Sequence, residues 1–88
     1  MTRLRLRLYV VGNAPNSVRA ISNVRAICGE HFIDAHDLEI VDMLASPRRA
    51  FEDGIIVTPT LLKLCKPAGR LIGDLSDTKQ VLIALGRG

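Results

Sequence analysis

The stretch LRLRLYVVGNAPNS, Leu4–Ser17, decides the fold. Leu4, Leu6, Leu8 and Val10 alternate with Arg3, Arg5, Arg7 and Tyr9. A period of two marks a strand with one apolar face. Tyr9, Val10 and Val11 favour extended backbone, so local propensity agrees with the pattern. Gly12, Asn13, Pro15 and Asn16 then form a turn, through backbone-bonding side chains and a fixed φ. Beyond Pro15 the spacing lengthens. Val18, Ile21, Val24, Ile27 and Cys28 recur at helical intervals and predict an apolar helix face. A strand, a tight turn and an amphipathic helix open a βαβ unit.

That helix is expected to start near Asn13–Ser17, with Asn13, Asn16 and Ser17 all candidate caps, and to stop near Gly29. A second strand follows at Leu38–Met43. Pairing of the two strands is expected to set Glu39 or Asp42 beside an arginine of the first strand. Ser46-Pro47 is a helix start, a capping hydroxyl followed by proline at the first helical position. The short helix Pro47–Asp53 should bury Ala50 and Phe51, and Gly54 should end it. Ile55–Val57 lead through Thr58-Pro59 into a strand at Leu61–Cys65. Pro67, Ala68 and Gly69 turn the chain into Arg70–Ile72, which ends at Gly73-Asp74. Ser76 or Asp77 caps a last helix, Thr78–Leu85. Residues 1–88 thus read as one α/β domain with the order β-α-β-α-β-β-α, the order of a thioredoxin-like fold.

Composition narrows the function. The chain is 48% hydrophobic but has only two Phe, one Tyr and no Trp. Its formal charge of +3 permits an acidic partner without requiring nucleic acid. The aromatic platforms of single-strand binders are nearly absent, so no nucleic-acid partner is expected. Arg3, Arg5 and Arg7 interrupt the N-terminal apolar run, and no run reaches the length of a membrane span. No membrane association and a cytoplasmic location are expected. Self-association is plausible for so small a core.

The chemistry-bearing residues are few. The two cysteines, Cys28 and Cys65, form no CxxC pair, and none occupies the turn where a redox pair would stand. Without a thiolate there, exchange has no attacking group. Cys28, Glu30, His31, Asp34 and His36 fit no closed zinc pattern. Asp74, Ser76 and Asp77 read as a helix cap, not as a catalytic cluster. No phosphate loop or catalytic triad spacing is present. The expectation is no enzyme activity, no metal and no cofactor.

LYVVGNAPNS (Leu8–Ser17), TPTL (Thr58–Leu61) and LIGDLS (Leu71–Ser76) with the VLI helix after it resemble the KaiB family. The likeness runs from about Leu4 to Leu85. It implies a non-catalytic regulator that binds a KaiC-type hexameric ATPase and modulates its phosphorylation cycle. It also implies two folds: the thioredoxin-like form that binds the ring, and a ground state ordered β-α-β-β-α-α-β. Gly12, Asn13, Pro15, Asn16, Ser17, Thr58, Pro59, Gly73 and Asp74 carry the motifs, and Thr58-Pro59 is expected to be cis in the thioredoxin-like form.

Arg19 and Arg70 match basic positions of the family and are the expected partner-binding residues. Glu39 and Gly54 stand where basic contact residues are expected. Ala84 and Gly86 replace the Gly and Asp expected of the clock members. Ala favours helix over Gly by about 1 kcal/mol, so position 84 should bias the segment toward the thioredoxin-like state. With the short end at Gly88, the expectation is a monomer or weak homo-oligomer. A thioredoxin-like adaptor for a signalling kinase or stress response is the alternative, and a redox or glutathione-binding domain is a third reading.

Overall fold

The computed structural model describes residues 3–86. The element order is β1 (Leu4–Val10), α1 (Pro15–His31), β2 (His36–Asp42), α2 (Pro47–Glu52), β3 (Thr60–Lys63), β4 (Gly69–Ile72) and α3 (Thr78–Ala84). This is the predicted β-α-β-α-β-β-α order, and the ground-state order is not the one adopted. The strands form one sheet in the order β2-β1-β3-β4. β1 runs parallel to β2, with Arg7 opposite Glu39, and antiparallel to β3, with Leu8 opposite Leu61. β3 and β4 form an antiparallel hairpin.

The alternation in β1 places Leu4, Leu6, Leu8 and Val10 against Ala20, Val24, Ile27 and Cys28 of α1 and Val81 and Leu85 near α3. The opposite face is not simply solvated. Tyr9 lies fully buried in a second cluster with Val41, Ala50, Ile55 and Leu62, under α2. Both faces are thus covered at the C-terminal end of β1, while Arg3 and Arg5 at its start stay exposed. A strand sandwiched between helices is dry only where a helix reaches over it, and α2 is short.

Several local expectations change. The N-cap of α1 is Ala14, with no side-chain cap bond. Ser17 is instead buried and its Oγ accepts from the Val11 amide at 3.0 Å, tying the end of the β1 run to the helix. The helix passes through Gly29 to His31. Ser46 makes no cap bond, although Pro47 opens α2 as expected. Of Glu39 and Asp42 it is Glu39 that meets an arginine, Arg7, while Asp42 Oδ1 accepts from the amides of Gly12 at 3.2 Å and Leu44 at 2.9 Å. Val18 is 52% exposed and Phe51 85% exposed, so neither joins the core. Of the two proposed caps for α3, it is Asp77 that accepts, from the Gln80 amide. Gly54 takes φ +67, the left-handed stop expected there.

Candidate partner-binding surface

The strand directions gather four segments at one end of the sheet. β1 and β2 finish there, β3 starts there, and β4 finishes there. The loops are the Gly12–Asn16 turn, the Asp42–Ser46 connection, the approach to Pro59, and Gly73–Asp77. They are bonded to one another. The Gly12 amide donates to Asp42, and the Gly73 amide donates to the Pro59 carbonyl at 3.0 Å. Thr58-Pro59 is cis, as expected, and Lys66-Pro67 is cis as well. The motif residues Gly12, Asn13, Pro15, Asn16, Ser17, Thr58, Pro59, Gly73 and Asp74 therefore converge although the chain separates them widely.

This end exposes apolar side chains. Leu44 and Ile72 are exposed, and Ile56 (91%) and Val57 stand out from the segment before the cis bond. Sequence patterning marks Ile55–Val57 only as a β-branched lead into the next strand and does not separate the buried residue from the exposed ones. Three successive β-branched residues cannot all face inward, and only Ile55 does. Single exposed hydrophobics are ordinary, but several in adjoining loops suit a protein contact.

The two arginines lie on opposite faces of the sheet. Arg19 projects from α1, where Nε stands 3.3 Å from Asp74 Oδ2 and Nη2 donates to Asn16 Oδ1. Asn23 adds a bond to the Asp74 carbonyl at 2.8 Å, so α1 holds the β4–α3 corner at two points. Ser76, through hydrogen bonds, and then Arg19 keep the Asp74 carboxyl below its ordinary range. Arg70 sits opposite Leu62 on the α2 face. Its guanidinium donates to the carbonyls of Asp53 (3.0 Å) and Gly54 (3.1 Å), the free end of α2. Both side chains thus have structural duties as well as exposed surface. At the far end of the chain, Ala84 is the last residue of α3, and Gly86 takes φ +94 just beyond it.

Beneath α2 lies a charged network. Glu39 accepts from Arg7 and from Arg49, each at 2.8 Å, and Arg7 also donates to Asp53 at 3.0 Å. Arg49 and then Arg7 draw the Glu39 carboxyl down to about 2. The Tyr9 hydroxyl, then Arg7, lower Asp53, while burial raises Tyr9. This arrangement fastens α2 to β1 and β2.

No redox chemistry is assembled at the turn. It carries Asn13, Ala14, Pro15 and Asn16. Cys28 is buried in α1, where burial pushes its thiol up to about 11, and it is not a thiolate at neutral pH. Among the described residues no three His, Cys, Asp or Glu side chains form a group able to hold a metal, and no helix is long and apolar enough to cross a membrane.

Comparison with known proteins identifies the lineage. The family model described as the KaiB domain matches residues 7–87. The circadian clock protein KaiB3 of Synechocystis sp. is 49% identical over 86 residues, covering 97% of this chain and 84% of that protein. The circadian clock oscillator protein KaiB of Prochlorococcus marinus is 49% identical over 81 residues, covering 91% and 76%. Among solved structures, a Fasciola hepatica thioredoxin superposes with a TM-score of 0.79 at 16% identity, covering 97% of this chain and 80% of its own. The N-terminal domain of Synechococcus elongatus SasA gives 0.74 at 23%, covering 100% and 90%. These two likenesses show the thioredoxin-like fold.

Proposed function

The chain belongs to the KaiB family of circadian clock proteins, and from that premise we propose that it is a non-catalytic regulator that docks on a KaiC-type hexameric ATPase. The observation that carries this reading is the loop end of the sheet. There a thioredoxin-like frame presents Leu44, Ile56, Val57 and Ile72 to solvent in place of a thiol pair. A frame that keeps its architecture without its reactive group suits binding, and the exposed apolar loops supply area for it. Arg19 and Arg70 flank this region from the two faces and would meet acidic groups on the ring.

The mechanism is a population shift. A partner that binds only the thioredoxin-like arrangement draws the chain toward it, and its apparent affinity falls with the fraction that is competent. Ala84 favours the helical form of α3 and so raises that fraction. The chain then acts by modulating the phosphorylation and ATPase cycle of the ring, in a circadian or clock-like timing system in the cytoplasm.

The test is a titration of labelled protein with its cognate KaiC-type hexamer in ATP and then in ADP. Saturable binding that depends on the nucleotide is expected. No binding to a ring shown to hydrolyse ATP would overturn the proposal.

A further inference from the structure

Leu75 stands in backbone that a leucine rarely enters. Its φ is +63, in the left-handed region, while its side chain is buried in the core that includes Val24 of α1 and Val81 of α3. Among the described residues one other non-glycine has a positive φ, Asp34, of a type that enters this region more readily. For a bulky aliphatic residue the conformation is strained, and such strain persists only where the surroundings over-determine it.

The holding groups stand on both sides of the residue. The Asp74–Leu75 peptide, whose orientation sets φ of Leu75, is pinned from α1, where Asn23 Nδ2 donates to the Asp74 carbonyl at 2.8 Å. The Leu75–Ser76 peptide is pinned by Asp74 itself, whose Oδ1 accepts from the Ser76 amide at 3.1 Å. One residue earlier, the Gly73 amide is fixed on the Pro59 carbonyl. Arg19 also reaches the corner, but through the Asp74 carboxylate and not through the strained peptide. Asn23 is thus the side chain by which another element holds the peptide that defines the strain. Asn is a poorer helix former than Ala, and Asn23 sits in the middle of α1; its bond to the corner accounts for an Asn at that position.

We propose that Asn23 is a positioning residue of the loop end. By holding the Asp74 carbonyl it keeps Leu75 left-handed, and that conformation sets how the Gly73–Asp77 loop and the Asp74 carboxylate stand in the docking surface. The inference rests on the docking proposed for the loop end. It assigns part of that surface's shape to a side chain of α1 that acts through Leu75.

The test combines NMR of the free chain with binding to the cognate KaiC-type hexamer. Left-handed backbone brings a residue's own amide and α protons close, so the unaltered chain should show a strong intraresidue Overhauser effect at Leu75. In Asn23→Ala that effect is expected to weaken, while backbone shifts of β1 and α2 stay in place. Affinity for the ring should fall at least about threefold, the scale of one lost side-chain hydrogen bond. The loss should shrink when Leu75→Gly is added, because glycine takes a positive φ without strain and needs no such hold. Should Leu75→Gly fail to fold, Asn23→Ala decides alone, and a weakened effect at Leu75 together with weaker binding supports the role. A Leu75 signal that is weak from the start or unchanged by Asn23→Ala, full affinity in that variant, or an equal loss in the Leu75→Gly background would overturn it. A ring that hydrolyses ATP yet binds not even the unaltered chain removes the docking reading, and this role with it.

Discussion

The Tyr9 hydroxyl donates to Asp53 Oδ2 at 2.6 Å, joining the fully buried end of β1 to the residue that closes α2. The Arg49 carbonyl lies 3.1 Å from the same hydroxyl, and Arg7 holds Asp53 from the strand side. One phenol thus anchors a six-residue helix that has little propensity to stand alone. Tyr9→Phe keeps the ring's packing and removes this bond. It should destabilise the protein by about 1.5–3 kcal/mol, as for a hydrogen bond to a charged acceptor. Urea denaturation measures it, and an unchanged midpoint would show the bond to be idle.

Acid should loosen the same region. Glu39 titrates near 2 in the fold against an ordinary 4.5, through Arg49 first and Arg7 second. Asp53 is lowered as well. A depressed folded value means that the unfolded chain takes up protons first as pH falls. The stability these carboxylates contribute is therefore complete above about pH 4.5 and is lost on the way down to about 2. Glu39→Gln should lower stability at pH 7 and flatten the loss over that window. Thermal melts of both proteins across it would settle the matter; parallel curves would contradict the assignment.

Gly54 offers a conformational test free of packing. It takes φ +67, and its nearest neighbour to an added Cβ is Arg70 Nη2 at 4.0 Å. Gly54→Ala should cost about 1 kcal/mol from backbone strain alone. Gly54→Asn should cost less, because Asn enters the left-handed region more readily. If Ala and Asn melt alike, the left-handed preference is not what position 54 supplies.

For partner binding, Ile56 and the arginines separate apolar from charged contributions. Ile56 is almost wholly exposed, so Ile56→Lys should leave stability within about 0.5 kcal/mol. It should weaken binding to a KaiC-type ring at least about tenfold if the loop end is the docking surface. Arg19→Glu with Arg70→Glu should weaken binding too, with the circular dichroism spectrum retained. Full affinity in the double variant would remove both residues from the interface. Full affinity in Ile56→Lys would move the interface off the loop end.

Much of the fold is legible in local chemistry. The alternation of Leu4–Val10, the stop at Gly12, Pro47 at a helix start and Gly54 at its end each express a backbone constraint that acts within a few residues. Such constraints do not depend on what lies across the molecule, and the element order follows from them. The errors fall where a decision needs a neighbour. Val18 and Phe51 are apolar at helical spacing, yet no element comes over them, and they stay in water. Ser17, a fitting helix cap by type, is taken by the Val11 amide once the strand end is near.

The candidate surface divides the same way. The motif residues could be marked from the chain, because turns need particular residue types. Their meeting at one end of the sheet follows only from strand direction, which the order β2-β1-β3-β4 sets. What the amino-acid sequence determined alone is the set of strands, helices and turns, since propensity and periodicity are local. What only the tertiary structure decided is which side chains meet. Arg19 meets Asp74, Arg70 the end of α2, and Tyr9 Asp53. Charge pairing and burial depend on distances across the fold, and those distances exist only once the sheet has closed its helices over itself.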